Sequence, residues 1–68
     1  MDYYYVNKNA QATGEHELHK ESCNHLPYKE NIIRLGFFKS CNQAIKEAEK
    51  LFENVDGCFY CCSACHKK

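Results

Sequence analysis

The sequence carries no surplus of charge. Nine Lys and Arg are balanced by nine Asp and Glu over 68 residues. Proteins that grip a nucleic-acid backbone present a basic face, and the chain offers none beyond Lys67 and Lys68. Nucleic acid is therefore an unexpected partner. A protein partner is the expected one, with the chain a monomer or a weak dimer. The sequence also lacks any apolar run near the roughly 18 residues that cross a membrane. Its opening, MDYYYVNKN, has neither the basic start nor the apolar stretch of a secretory signal. These absences predict a cytoplasmic protein, bacterial in type. There is no convincing carboxylate pair, no Ser/His/Asp set and no phosphate-binding glycine loop, so no enzyme is expected.

What the chain does have is sulfur. Of its six cysteines, Cys58, Cys61, Cys62 and Cys65 fall within GCFYCCSACH, two C-x-x-C pairs back to back with His66 following. Sixty-eight residues make one domain, 1–68. A core of that size supplies only about 3–5 kcal/mol, and metals or disulfides are the usual reinforcement. In a reducing cytoplasm, clustered cysteines are metal ligands or redox groups more often than structural disulfides.

Three elements can be placed. DYYYVNKN (2–9) is aromatic and β-branched and predicts a strand. Its three tyrosines fit an edge strand with one ring face buried better than a stacking platform for bases. NIIRLGFF (31–38) predicts a second strand, with Ile33, Leu35 and Phe37 on one face and Gly36 marking a bulge or a close backbone approach. Residues 10–30, polar and containing Gly14 and Pro27, read as a long loop in need of an anchor.

The third element is a helix over 41–55. Ser40 and Gln43 match a capping box. Cys41, Ala44, Ile45, Ala48, Leu51, Phe52 and Val55 recur on one helical face, and Gly57 is placed to end the helix in the left-handed conformation. The expected fold is α+β: a two- or three-stranded antiparallel sheet, one amphipathic helix and a Cys/His-rich C-terminal tail.

Zinc takes four thiolate or imidazole ligands in a tetrahedron. HKESC supplies His19 and Cys23 before the helix, and the tail supplies a pair after it. A site of His19, Cys23, Cys62 and Cys65 leaves residues 57–60 free to turn the chain back. The alternative tail pair is Cys58 and Cys61, and His66 can stand in for Cys65. Such a site would anchor the mid-chain loop.

The remaining residues have blander readings. Cys41 lies on the apolar stripe as a small buried hydrophobe, or as a thiol activated by the helix N-terminus. His16 and His25 read as solvated or hydrogen-bonded loop residues. The stretch HELH is one residue short of a metalloprotease pair, which needs histidines four apart on a helix.

In order, the HKESC pair, the LGFFKSCNQAIKEAEKLF helix and the closing C-x-x-C resemble the Ada N-terminal type of zinc-binding module over about residues 19–65. That family has a C-x-x-x-C pair, a strand, an S-x-E-A-type helix and a final C-x-x-C, its four thiolates holding zinc. GEHELHKESC, LGFFKSC and DGCFYCCSACH also resemble a group of small bacterial proteins of unassigned role. The resemblance implies a zinc site at His19, Cys23 and a tail pair. It does not imply methyl transfer, because the basic face and the Arg/Pro before the last C-x-x-C are missing.

Four functions compete. The first is a binding or adaptor module with a structural metal. The second is a thiol redox protein, which the absence of a βαβ pattern disfavours. The third is a DNA-repair-related module. The fourth is a small domain stapled by three disulfides, for which fifteen pairings exist.

Overall fold

The computed structural model describes residues 1–67. Along the chain run β1 (Asp2–Asn7), β2 (His16–Lys20), a 3-10 turn (Lys29–Asn31), β3 (Ile32–Phe38), α1 (Cys41–Ala48), β4 (Val55–Gly57) and a last 3-10 turn (Ser63–Cys65). The architecture is α+β. The sheet is larger than the sequence suggests: it has four strands in the order β3-β1-β2-β4. It is also mixed, with β1 antiparallel to β2 and β3, and β2 parallel to β4.

β1 lies inside the sheet rather than at its edge. Tyr4 and Val6 point to the helix side and are buried, while Tyr3 lies on the far face against Phe37, at 4.8 Å between ring centroids. In β3 the register slips by one residue, Tyr4 pairing with Gly36 and Tyr5 with Arg34. Leu35 is the extra residue, and Gly36, at φ +134°, takes a conformation that L side chains resist. The bulge breaks the expected Ile33/Leu35/Phe37 face. Leu35 and Phe38 pack on the core and Phe37 turns outward.

α1 begins where its cap predicts. The Ser40 hydroxyl accepts from the Gln43 N–H at 3.4 Å, and the Gln43 side chain accepts from the Lys39 N–H at 3.1 Å. It ends at Ala48 rather than Val55. Cys41, Ala44 and Ala48 bury its inner face. Beyond it Leu51 is exposed, Phe52 stacks on His16 at 3.7 Å, and Val55 opens β4. A helix continued to residue 55 would leave no chain to reverse direction and pair β4 with β2.

Gly57 therefore does not cap a helix. It lies in β4, and a Cβ there would meet the Cys62 carbonyl oxygen at 2.6 Å and the Cys65 Cβ at 2.8 Å. Its lack of a side chain lets the cysteine tail fold flat against the sheet. The core packs Tyr4 and Leu18 from the sheet against Cys41 and Ala44 of the helix, with Cys62 and Cys65 closing it from the tail.

Candidate metal centre

The supposed loop 10–30 contains β2, and β2 builds the site. Strand alternation sends Leu18 into the helix-side core and His19 to the opposite face. Straight after β2 a tight turn, with the Cys23 N–H donating to the Lys20 carbonyl at 3.1 Å, folds Cys23 back toward His19. The parallel pairing of β4 then delivers the tail, as the Cys58 N–H donates to the Leu18 carbonyl at 2.9 Å. A turn closed by the Cys62 N–H on the Cys58 carbonyl, at 2.8 Å, brings Cys61 round.

The result is a cluster of His19, Cys23, Cys58 and Cys61, each offering one donor atom, all within 4.8 Å of one another. These four residues are close enough to hold a metal ion. The Cys23 and Cys58 sulfurs are 3.9 Å apart. A tetrahedron with metal–sulfur bonds of about 2.3 Å has an edge of about 3.8 Å, so that pair is already spaced for zinc-type coordination. Two of the thiols accept backbone N–H groups, Cys23 from His25 and Cys61 from Lys20, each at 3.3 Å. Such bonds stabilise thiolate charge in a metal site.

His19 is 1% exposed. Its Nε2 lies 3.1 Å from Glu17 Oε1, while its buried Nδ1 has no hydrogen-bond partner among the described residues. A buried polar atom left without a partner is costly, and a metal is a partner of the right kind for an imidazole nitrogen. Burial, with the His25 charge adding to it, pulls the His19 imidazole down to about 4, so it is neutral near pH 7 with a lone pair to give. Burial also pushes the Cys61 thiol up. Without a cation Cys61 keeps its thiol proton, and a metal displaces it on binding.

His19 and Cys58 are buried, whereas Cys23 and Cys61 line a cavity of about 390 Å³ walled by His25 and Tyr60. That cavity gives an ion a way in.

The tail pair preferred from sequence, Cys62 and Cys65, lies elsewhere. Cys65 forms a disulfide with Cys41, 24 residues away in sequence. Cys62 is buried in the helix-side core, its sulfur 3.7 Å from that of Cys61. The alternative pair, Cys58 and Cys61, is the one brought beside His19 and Cys23. The reason is the position of Gly57: with Gly57 in the strand, Cys58 emerges directly next to β2 and needs no spacer to turn back. His66 is also away from the cluster, with Nδ1 3.0 Å from the Gly57 carbonyl oxygen and 3.5 Å from Asp56. His16 sits within β2 and binds the Asn7 carbonyl at 2.9 Å, while His25 stacks on Tyr60 at 4.0 Å.

Sequence reasoning missed two features. Cys41 is a disulfide partner rather than a free core thiol, and only the packing of the tail beneath α1 reveals it. Glu17 contacts the candidate ligand His19, and its signal was present in the i, i+2 spacing of HELH once that stretch is recognised as a strand. Among the described residues no helix is long and apolar enough to cross a membrane. No family model, curated protein or solved structure matches the chain.

Proposed function

We propose that this chain is a small zinc-binding domain in which His19, Cys23, Cys58 and Cys61 hold one structural Zn²⁺, and that it serves as a binding or adaptor module for a protein partner rather than as an enzyme. The observation that carries this reading is the meeting of four zinc-type donors from two segments on either side of the helix in sequence, one of them a buried imidazole nitrogen with no hydrogen-bond partner among the described residues. Three thiolates and one imidazole suit zinc better than calcium or magnesium, which take oxygen ligands. Structural zinc contributes about 10–16 kcal/mol of apparent binding energy in small domains, more than a core of this size supplies. The exposed rings of Phe59 and Tyr60, between Cys58 and Cys61, favour the partner role. Held rigidly by two ligands, they offer aromatic surface of the kind found at protein contacts.

A second reading is supported by the Cys41–Cys65 bond: a disulfide-stapled domain without metal. Native mass spectrometry of protein purified without chelator separates the two. The zinc reading expects one zinc per chain, removed by chelator with loss of the far-UV and near-UV circular dichroism of the fold. A metal-free, folded protein whose Cys23, Cys58, Cys61 and Cys62 thiols are paired would contradict it.

A further inference from the structure

Resting on that reading, we infer that Glu17 is the positioning residue of the metal centre, and that it commits His19 to binding the ion through Nδ1. The argument begins with the strand. Glu17 and His19 are two apart in β2, so both side chains leave the same face of the sheet. Glu17 Oε1 lies 3.1 Å from His19 Nε2. Its other carboxylate oxygen accepts from Gln11 Nε2 at 3.2 Å. Gln11 is itself fixed by a turn, its N–H donating to the Glu15 carbonyl and its carbonyl accepting from the Gly14 N–H, each at 2.8 Å. A chain of polar contacts thus runs from the loop before β2, through a half-buried carboxylate, to the one imidazole in the cluster.

The chemistry follows from the two faces of the ring. A neutral imidazole has one N–H and one lone pair. A carboxylate at Nε2 demands the N–H there, which leaves the lone pair on Nδ1. Nδ1 is the atom buried without a hydrogen-bond partner among the described residues. The carboxylate also raises the donor strength of the opposite nitrogen, as outer partners of metal-bound histidines do. Glu17 need not touch the ion to decide which atom binds it.

The test uses Co²⁺ as the probe ion, on the full chain with the disulfide intact. Glu17→Ala should bind Co²⁺ about 10- to 100-fold more weakly than the wild type, with a changed visible ligand-field band. Glu17→Gln keeps an acceptor oxygen for the Nε2 proton and should recover the wild-type band and most of the affinity. A loss due to general destabilisation would not be rescued with that spectral signature. Independently of any variant, long-range ¹H–¹⁵N spectra of the zinc-loaded wild type should show the proton on Nε2 and the metal on Nδ1. Metal on Nε2, or a Glu17→Ala protein binding as tightly as the wild type, overturns the inference while leaving the zinc site standing. A wild type that takes up no Co²⁺ and no Zn²⁺ removes the site and the inference together.

Discussion

Two groups of cysteines meet beside one strand, their nearest sulfurs 3.7 Å apart, and their tail members come from successive halves of the same ten residues. Cys58 and Cys61 join His19 and Cys23 in a cluster that borders a cavity, with Cys61 also touching the core. On the helix side, Cys62 and Cys65 belong to the apolar core, where Cys65 is bonded to Cys41. The two C-x-x-C motifs look equivalent in sequence and do different work. What separates them is the turn that begins at Gly57. Its first pair stays level with β2, while its second passes beneath the helix through space that any side chain at residue 57 would fill. Cysteine identity thus says little about role; the local path of the chain assigns it.

This contrast can be broken at neighbouring residues. The largest effect should come from Cys61→Ala. It removes a proposed ligand, so the variant should lose zinc and most of the roughly 10 kcal/mol that a structural zinc contributes, read as an unfolded circular dichroism spectrum at neutral pH. Removing the disulfide should cost less. Cys41→Ala opens a loop spanning 24 residues, worth about 3 kcal/mol by loop-closure entropy. The zinc-loaded variant should stay folded with a lower chemical-denaturation midpoint. The smallest effect belongs to Cys62→Ala, although Cys62 is the immediate neighbour of Cys61 and equally a tail cysteine. It deletes one buried sulfur from the core, at about 1–2 kcal/mol, and should leave zinc content at one per chain. If Cys62→Ala loses zinc and Cys61→Ala keeps it, the division between the clusters is reversed.

Much of the frame is legible in the sequence. β1, β3 and the start of α1 follow from β-branched and aromatic runs and from the Ser40–Gln43 cap, because these signals act over a few residues. The glycine in β3 marks a bulge, one of the two readings its position offers. β2 and β4 are not legible for a physical reason. HELHK carries two histidines and two charges, and it becomes a strand because β1 pairs on one side and β4 on the other. VDG is only three residues long and exists as a strand only by parallel pairing with β2. The helix looked longer than it is because Leu51, Phe52 and Val55 keep its period, yet each serves a different neighbour once the chain turns. His19 and Cys23 were readable as a pair from their spacing. The choice between tail pairs was not, since it depends on where Gly57 sits in space.

The central claim is the identity of the four donors, and X-ray absorption at the zinc edge tests it most directly. For the zinc-loaded protein the account predicts a first shell of three sulfurs at about 2.3 Å and one nitrogen at about 2.0–2.1 Å, with the outer-shell scattering of a single imidazole. A shell of four sulfurs would draw Cys62 into the site and exclude His19. A shell dominated by oxygen would mean that the ion is not held by this cluster, and the proposed centre would fall.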